Sequence, residues 1–245
     1  MPGRPPIVEL ADWQTERDAL LVREKAHTRE GDAIAAARRS LPMVEVDGGI
    51  EVVGPDGPVP FTDLFQGREE LLVYKHMWYD GAPPQGQCEG CTWTAWGLRD
   101  AVYLNARGVS LAFVTTGAWD EVAEFVAFMG YEQPWYSVRG LDEPVGGEMG
   151  YLSCFLREDD RVFLTYSTTG RGNEVTNPFF ALLDMTPTGR REAWQGVPDG
   201  QDVCWFWRSD ADGHPTWGPT SRPVPQWTRP GATPVDSLGR QGSCH

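Results

Sequence analysis

The sequence predicts an α/β domain built as a three-layer α/β/α sandwich around a mixed central sheet. Three observations predict it. Two short apolar, β-prone runs, at residues 71–74 and 109–114, are each followed by a helical stretch, as in buried parallel strands joined by crossover helices. Two alternating runs, at residues 151–156 and 162–168, flank Glu158-Asp159-Asp160 and read as an antiparallel hairpin. The chain has 245 residues, 40% apolar and 23% charged, which suffices for one substantial core with decorations.

The N-terminal part, residues 1–42, reads as a helical arm. Residues 11–29 are rich in Ala, Leu, Glu and Arg and contain no Pro or Gly, with Trp13, Leu20 and Leu21 on a loose apolar stripe. Gly31 is expected to break the helix, Asp32 to cap a second short one over residues 33–39, and Pro42 to end the arm. Such an arm packs on its own domain or on a second subunit, and the latter would make a homodimer.

A central domain is expected over residues 43–208. Residues 43–46 and 50–53 alternate as strands do and read as a hairpin extension, with a turn signal at Gly54-Pro55-Asp56-Gly57 and a helical turn at residues 61–65. A buried strand over residues 70–77 then leads into a Gly- and Pro-rich loop and a helix over residues 92–107. A second strand at residues 109–115 precedes an amphipathic helix at residues 119–129, with Val122, Phe125, Val126 and Met129 on one face and Gly130 as its stop. A short strand at 135–138, the hairpin, and a helix at 178–186 capped by Asn177 complete the order. Residues 203–207 suit an edge strand, and residues 209–245, rich in Pro, Gly, Ser and Thr, an extended or disordered tail.

Charge and composition exclude some classes. The net charge is −14, while residues 1–39 and 210–245 are each balanced, so the excess acid lies between them. A surface of that sign repels nucleic acid and anionic lipid. No apolar run reaches the ~20 residues of a membrane span. The first ten residues hold one Arg and no apolar stretch, so no secretory signal is expected and the cytoplasm is the expected compartment. No phosphate-binding loop, dinucleotide fingerprint, HExxH or GxSxG pattern is present.

The five cysteines are Cys88, Cys91, Cys154, Cys204 and Cys244, an odd number that argues against a disulfide framework. Cys88-Glu89-Gly90-Cys91 stands apart from the three singletons. A C-x-x-C after a strand and at the start of a helix is a redox arrangement. The first sulfur meets the free N–H groups and dipole of the helix, which favour a thiolate. The second lies one turn on, near enough to resolve a mixed disulfide. Glu89, between them, opposes negative charge on sulfur. The same spacing can serve a metal, and His76 at the end of the preceding strand completes a two-thiolate, one-imidazole set suited to copper or an open zinc site. An inert pair in a non-catalytic binding module is the remaining alternative. Trp78, Tyr79, Trp93 and Trp96 surround the pair in sequence and could line an apolar pocket for a small aromatic substrate, or pack in the core. Cys154 and Cys204 read as small buried apolar residues, and Arg171 as a solvated turn residue.

Several stretches together resemble a known family. They are Arg38-Arg39-Ser40-Leu41-Pro42-Met43-Val44-Glu45-Val46, Gly54-Pro55-Asp56-Gly57, Asp63-Leu64-Phe65-Gln66-Gly67-Arg68, Leu71-Leu72-Val73-Tyr74 and Gln87-Cys88-Glu89-Gly90-Cys91-Thr92. Tyr166-Ser167-Thr168 and the run Leu183-Asp184-Met185-Thr186-Pro187-Thr188-Gly189-Arg190 join them. The ordered set, over roughly residues 8–192, resembles the bacterial "domain of unknown function 899" family, thioredoxin-like proteins labelled as dithiol-disulfide oxidoreductases. The resemblance implies a thioredoxin-like fold, with Cys88 as attacking and Cys91 as resolving thiol, and implies little about substrate. One departure from thioredoxin chemistry is visible. Thioredoxins set a cis-proline just before the third core strand, facing the cysteines, whereas Gly146-Gly147-Glu148-Met149 has none and Pro144 lies further back.

The expected function is therefore a thiol–disulfide oxidoreductase acting on a small-molecule or protein disulfide, with no cofactor required. The alternative is a copper or zinc protein using His76, Cys88 and Cys91.

Overall fold

The computed structural model describes residues 4–190, 195, 196 and 225–230. The described residues fall into two compact units. The first comprises residues up to Pro42 together with those from Leu183 to 196, and its main element is helix α1, Leu10–Arg38. Gly31 does not break this helix, contrary to the sequence expectation. One interior glycine costs about 1 kcal/mol relative to alanine, and 29 residues rich in good helix formers absorb that. No side chain of α1 is buried.

The second unit, residues 43–182 with 225–230, holds one eight-stranded sheet. Its strands are β1 Val44–Val46, β2 Glu51–Gly54, β3 Gly57–Pro60, β4 Glu70–His76, β5 Val109–Thr115, β6 Trp135–Ser137, β7 Tyr151–Glu158 and β8 Arg161–Thr169. The helices after α1 are α2 Glu89–Gly97, α3 Val102–Ala106, α4 Trp119–Met129 and α5 Pro178–Asp184, the last running over the unit boundary. The strand order is β1-β8-β7-β4-β5-β6-β2-β3. β4 and β5 are parallel, β7 lies antiparallel on the other side of β4, and β8 follows antiparallel to β7. A β4–α2–β5 crossover beside a β7–β8 hairpin is the thioredoxin-like core.

The expected pairing of residues 43–46 with 50–53 does not form. β1 pairs with β8 at one end of the sheet, and β2 pairs with β3 and β6 at the other. The hairpin is instead β2–β3, closed by the Gly54-Pro55-Asp56-Gly57 turn, with Gly57 at φ +94°. Residues 61–65 form the expected helical turn, a 3-10 helix. The helix expected over residues 92–107 is two helices, α2 and α3. α2 ends at Gly97, where any Cβ would lie 2.2 Å from the Thr176 carbonyl oxygen. The strand expected at residues 203–207, Cys204 and Cys244 lie outside the described residues.

Both faces of the central strands are buried, which explains their unbroken apolar runs. Leu71 and Val73 on β4, with Ala112 and Val114 on β5, pack on one face against Phe61, Leu64 and Phe65 of the 3-10 turn and Val145 of the loop before β7. Tyr74 on β4, with Leu111 and Phe113 on β5, pack on the other face against α2 and α4, together with Cys88 and Cys91. Among the described residues, no helix is long and apolar enough to cross a membrane.

Candidate functional site around Cys88 and Cys91

The site begins where β4 runs out. His76 is its last residue, Met77 follows, and a loop returns the chain to Cys88 at the N-cap of α2. Cys88 has φ −51° and ψ 114°, outside the helical region, and its carbonyl accepts the first helical bond, from Thr92 N–H at 2.8 Å. Cys91 lies one turn into the helix. Both are free thiols and both are buried, at 2% and 4% exposure.

Met77 connects the strand end to both sulfurs. Its N–H donates to Cys91 Sγ at 3.4 Å, and its Sδ lies 4.0 Å from Cys88 Sγ. Sequence reasoning missed this residue. The only signal for it is its place, directly after a buried parallel strand that feeds the Cys loop.

His76 faces the same side of the sheet as Tyr74, towards α2, and is held by partners of its own. Its Nδ1 donates to the Met77 carbonyl at 2.7 Å, and its Nε2 lies 3.5 Å from Thr92 Oγ1. Its ring packs among Trp78, Phe125 and Trp135, with centroids 5.2–6.4 Å apart. Complete burial lowers its pKa to about 3, so the imidazole is neutral. The expected set His76, Cys88 and Cys91 is not gathered. Among the described residues, no group of three His, Cys, Asp or Glu side chains is placed to hold a metal ion.

The loop ahead of Cys88 is pinned from two sides. Gln87, 2% exposed, turns inward: its Oε1 accepts from Tyr79 N–H at 3.0 Å, and its Nε2 donates to the carbonyls of Tyr79 and Ala82 at 3.0 and 3.2 Å. Glu121, in the first turn of α4, accepts from Trp78 Nε1 at 3.0 Å and from Gly81 N–H at 3.3 Å. Between loop and helix lies a cavity of about 230 Å³, lined by Trp78, Pro83, Gln87, Glu121, Glu124 and Phe125 among others.

Of the four aromatic residues expected around the pair, Trp78, Tyr79 and Trp96 pack against the apolar cluster that holds Cys88 and Cys91, each with further partners of its own. Trp78 lines that cavity and packs edge-on against Phe125. Trp93 packs on Phe180, with centroids 5.1 Å apart. Trp96 packs edge-on to Tyr131 and lies under the Arg99 guanidinium at 4.0 Å. Tyr79 contributes its backbone to the Gln87 clamp. Cys154, on β7, is half-buried and sits opposite Leu72 of β4. Arg171 pairs with Glu174 at 3.0 Å, as a solvated turn residue does.

Part of the segment expected as a tail is folded onto this region. Pro225–Thr228 is a 3-10 turn. Gln226 is completely buried, and its Nε2 donates at 2.8 Å to the carbonyl of Gln87, the residue before Cys88. Arg229 donates to the Phe128 carbonyl at 3.1 Å and lies 5.7 Å over Trp96.

A cis peptide does precede the third core strand, at Glu143–Pro144. It serves the opposite face of the sheet from the cysteines. The Pro144 carbonyl lies 3.5 Å from Lys75 Nζ, which also bonds Glu143 at 3.0 Å. Lys75 alternates with Tyr74 and His76, so it points away from α2. The residue directly before β7 is Gly150, beside Met77.

Comparison with solved structures finds peroxidoxin BcpB from Mycobacterium tuberculosis, at 18% identity over 49% of this chain and 80% of that one, with a TM-score of 0.36. It also finds thioredoxin from Wuchereria bancrofti, at 12% over 55% and 90%, TM-score 0.36. Peroxiredoxin Q from Xanthomonas campestris matches at 13% over 60% and 98%, TM-score 0.38. No curated protein matches the chain. The sequence profile of one family, described as bacterial protein of unknown function (DUF899), matches residues 2–212. With that match covering most of its length, the chain belongs to the DUF899 family.

Proposed function

We propose that this protein is a thiol–disulfide oxidoreductase whose working pair is Cys88 and Cys91. The observation that carries this reading is the placement of the pair: two free thiols one helical turn apart, at the N-terminus of the helix that follows the central strand β4. Free N–H groups in the first turn of α2 favour negative charge at that end of the helix. In the proposed cycle Cys88 attacks a disulfide of a small molecule or protein, and Cys91 resolves the resulting mixed disulfide. Both sulfurs are buried, so turnover needs the loop of residues 79–87 or the segment at residues 225–230 to move aside. A dithiol working as a reductant suits a reducing compartment, the cytoplasm.

The test is insulin reduction with dithiothreitol as electron donor. The parent protein accelerates precipitation of the insulin B chain, and Cys88→Ser abolishes the acceleration. Equal rates with the parent and with a variant carrying both Cys88→Ser and Cys91→Ser would remove the reading.

A further inference from the structure

Residues 225–230 are fastened beside the dithiol at two points. The first is Gln226. Its side chain is completely buried, and its Nε2 donates at 2.8 Å to the Gln87 carbonyl, the last backbone acceptor before Cys88. The second is Arg229. Its Nε donates at 3.1 Å to the Phe128 carbonyl in the last turn of α4, where free carbonyls and the helix dipole favour a cation. Its guanidinium lies 5.7 Å over Trp96, in the last turn of α2. Gly130 leaves room for it, since a Cβ there would stand 3.0 Å from Arg229 Nη2. The segment therefore reaches from the loop ahead of the α2 N-cap to the final turn of that helix.

We propose that residues 225–230 form a strap that holds the loop ahead of Cys88 shut, and that Gln226 must release the Gln87 carbonyl before that loop can lift from the dithiol. The proposal rests on the dithiol reading of the site and adds the element that regulates access to it. Three features make the segment releasable. Both fastenings run from a side chain to a backbone carbonyl, and water serves such a carbonyl once the segment lifts. The Gln226 Oε1 is buried with no hydrogen-bond partner among the described residues, so it regains a partner on opening. Neither apolar cluster of the sheet includes a described residue of the segment, so the core stays packed when it leaves.

The Gln226 bond is separate from the Gln87 side-chain clamp, which goes to Tyr79 and Ala82. Opening of the loop breaks both, so weakening either raises the open population.

The test is the rate at which 2-hydroxyethyl disulfide, a small neutral oxidant, oxidises the reduced protein. The dithiol becomes the Cys88–Cys91 disulfide, and the reagent is reduced to two molecules of 2-mercaptoethanol. The product is read by acid quenching, alkylation and mass spectrometry. Hydrogen exchange of peptides over residues 84–98 and over β5 separates local from global opening. Gln226→Ala is expected to raise the oxidation rate about tenfold, as for one lost buried hydrogen bond, with faster exchange at residues 84–98 and none gained in β5. Gln226→Glu sets a carboxylate against the Gln87 carbonyl and is expected to raise the rate further. Arg229→Ala is expected to raise it by less. A rate within twofold of the parent's in a folded Gln226→Ala protein overturns the proposal. So does a rise matched by equally faster exchange in β5, which would make Gln226 an ordinary core residue. If Gln226→Ala does not fold, an unmoved rate in Arg229→Ala overturns it. Failure of the dithiol reading is seen separately, as failure of the parent protein to form a Cys88–Cys91 disulfide on long exposure to oxidised dithiothreitol. The strap is then judged by exchange at residues 84–98 alone.

Discussion

Gln87→Ala is the perturbation that best tests how the sulfurs are kept from solvent. The side chain makes three hydrogen bonds at 3.0–3.2 Å, all to the backbone of residues 79 and 82. Each contributes about 1 kcal/mol net. The groups they satisfy are only half-buried, so water takes over some of the loss. The summed cost is about 2–3 kcal/mol, and it falls on the loop rather than on the sheet. The bond from Gln226 goes to the Gln87 backbone carbonyl and survives the substitution. A loss of about 2 kcal/mol in local stability raises the open population of the loop roughly 30-fold at about 1.4 kcal/mol per tenfold. The assay is the rate at which a thiol reagent modifies Cys88 and Cys91, read by mass spectrometry of their shared peptide, beside a urea unfolding curve. An increase of about 30-fold in modification rate is expected. A rate within threefold of the parent, in a protein with unchanged secondary structure, would refute the idea that this clamp gates the pair.

Two further outcomes follow from the geometry. Burial holds the His76 pKa at about 3 against 6.5 for a free histidine. The unfolded chain therefore binds a proton that the folded chain refuses, so this contribution is intact above pH 6.5 and is lost as pH falls towards 3, at up to about 1.4 kcal/mol per unit. His76→Gln should flatten that part of the curve in urea titrations at pH 7, 5 and 4, and an equally steep curve would assign the loss to other groups. Gly97→Ala sets a methyl 2.2 Å from the Thr176 carbonyl oxygen and is expected to lower stability by about 1–3 kcal/mol despite the better helix propensity of alanine. A thermal midpoint equal to the parent's would mean that the 3-10 segment Gly170–Thr176 yields without cost.

The central strands, α4 and the β7–β8 hairpin were legible because their signals are local: unbroken apolar runs, a helical face ended by Gly130, and a charged turn. The Cys pair was legible for the same reason, as a short spacing between a strand and a helix. The fate of β1 and β2 was not. Val44 meets Leu164, and Val53 meets Ser137, so each is paired across most of the domain. Alternation tells that a segment is a strand and nothing about its partner. The packing of His76 was not legible from its position beside the cysteines in sequence. The register that turns Tyr74 towards α2 turns His76 the same way, but its ring is taken up by Trp78, Phe125 and Trp135. Gln87 carries no motif at all, since a glutamine before a Cys pair reads as a loop residue until its partners at Tyr79 and Ala82 are known.

The turn that closes β2–β3 has a bearing on solubility. In this hairpin Gly54 and Gly57 face each other, so Pro58 opposite Val53 and Pro60 opposite Glu51 occupy the alternate sites, whose backbone groups point outward. β3 is the last strand of the sheet, and proline has no N–H. The outer rim at those two sites can accept hydrogen bonds but cannot donate them. A strand from another molecule arriving there would find half of its ladder missing, which deters edge-to-edge aggregation. The opposite rim is blunted in another way, by the brevity of three-residue β1.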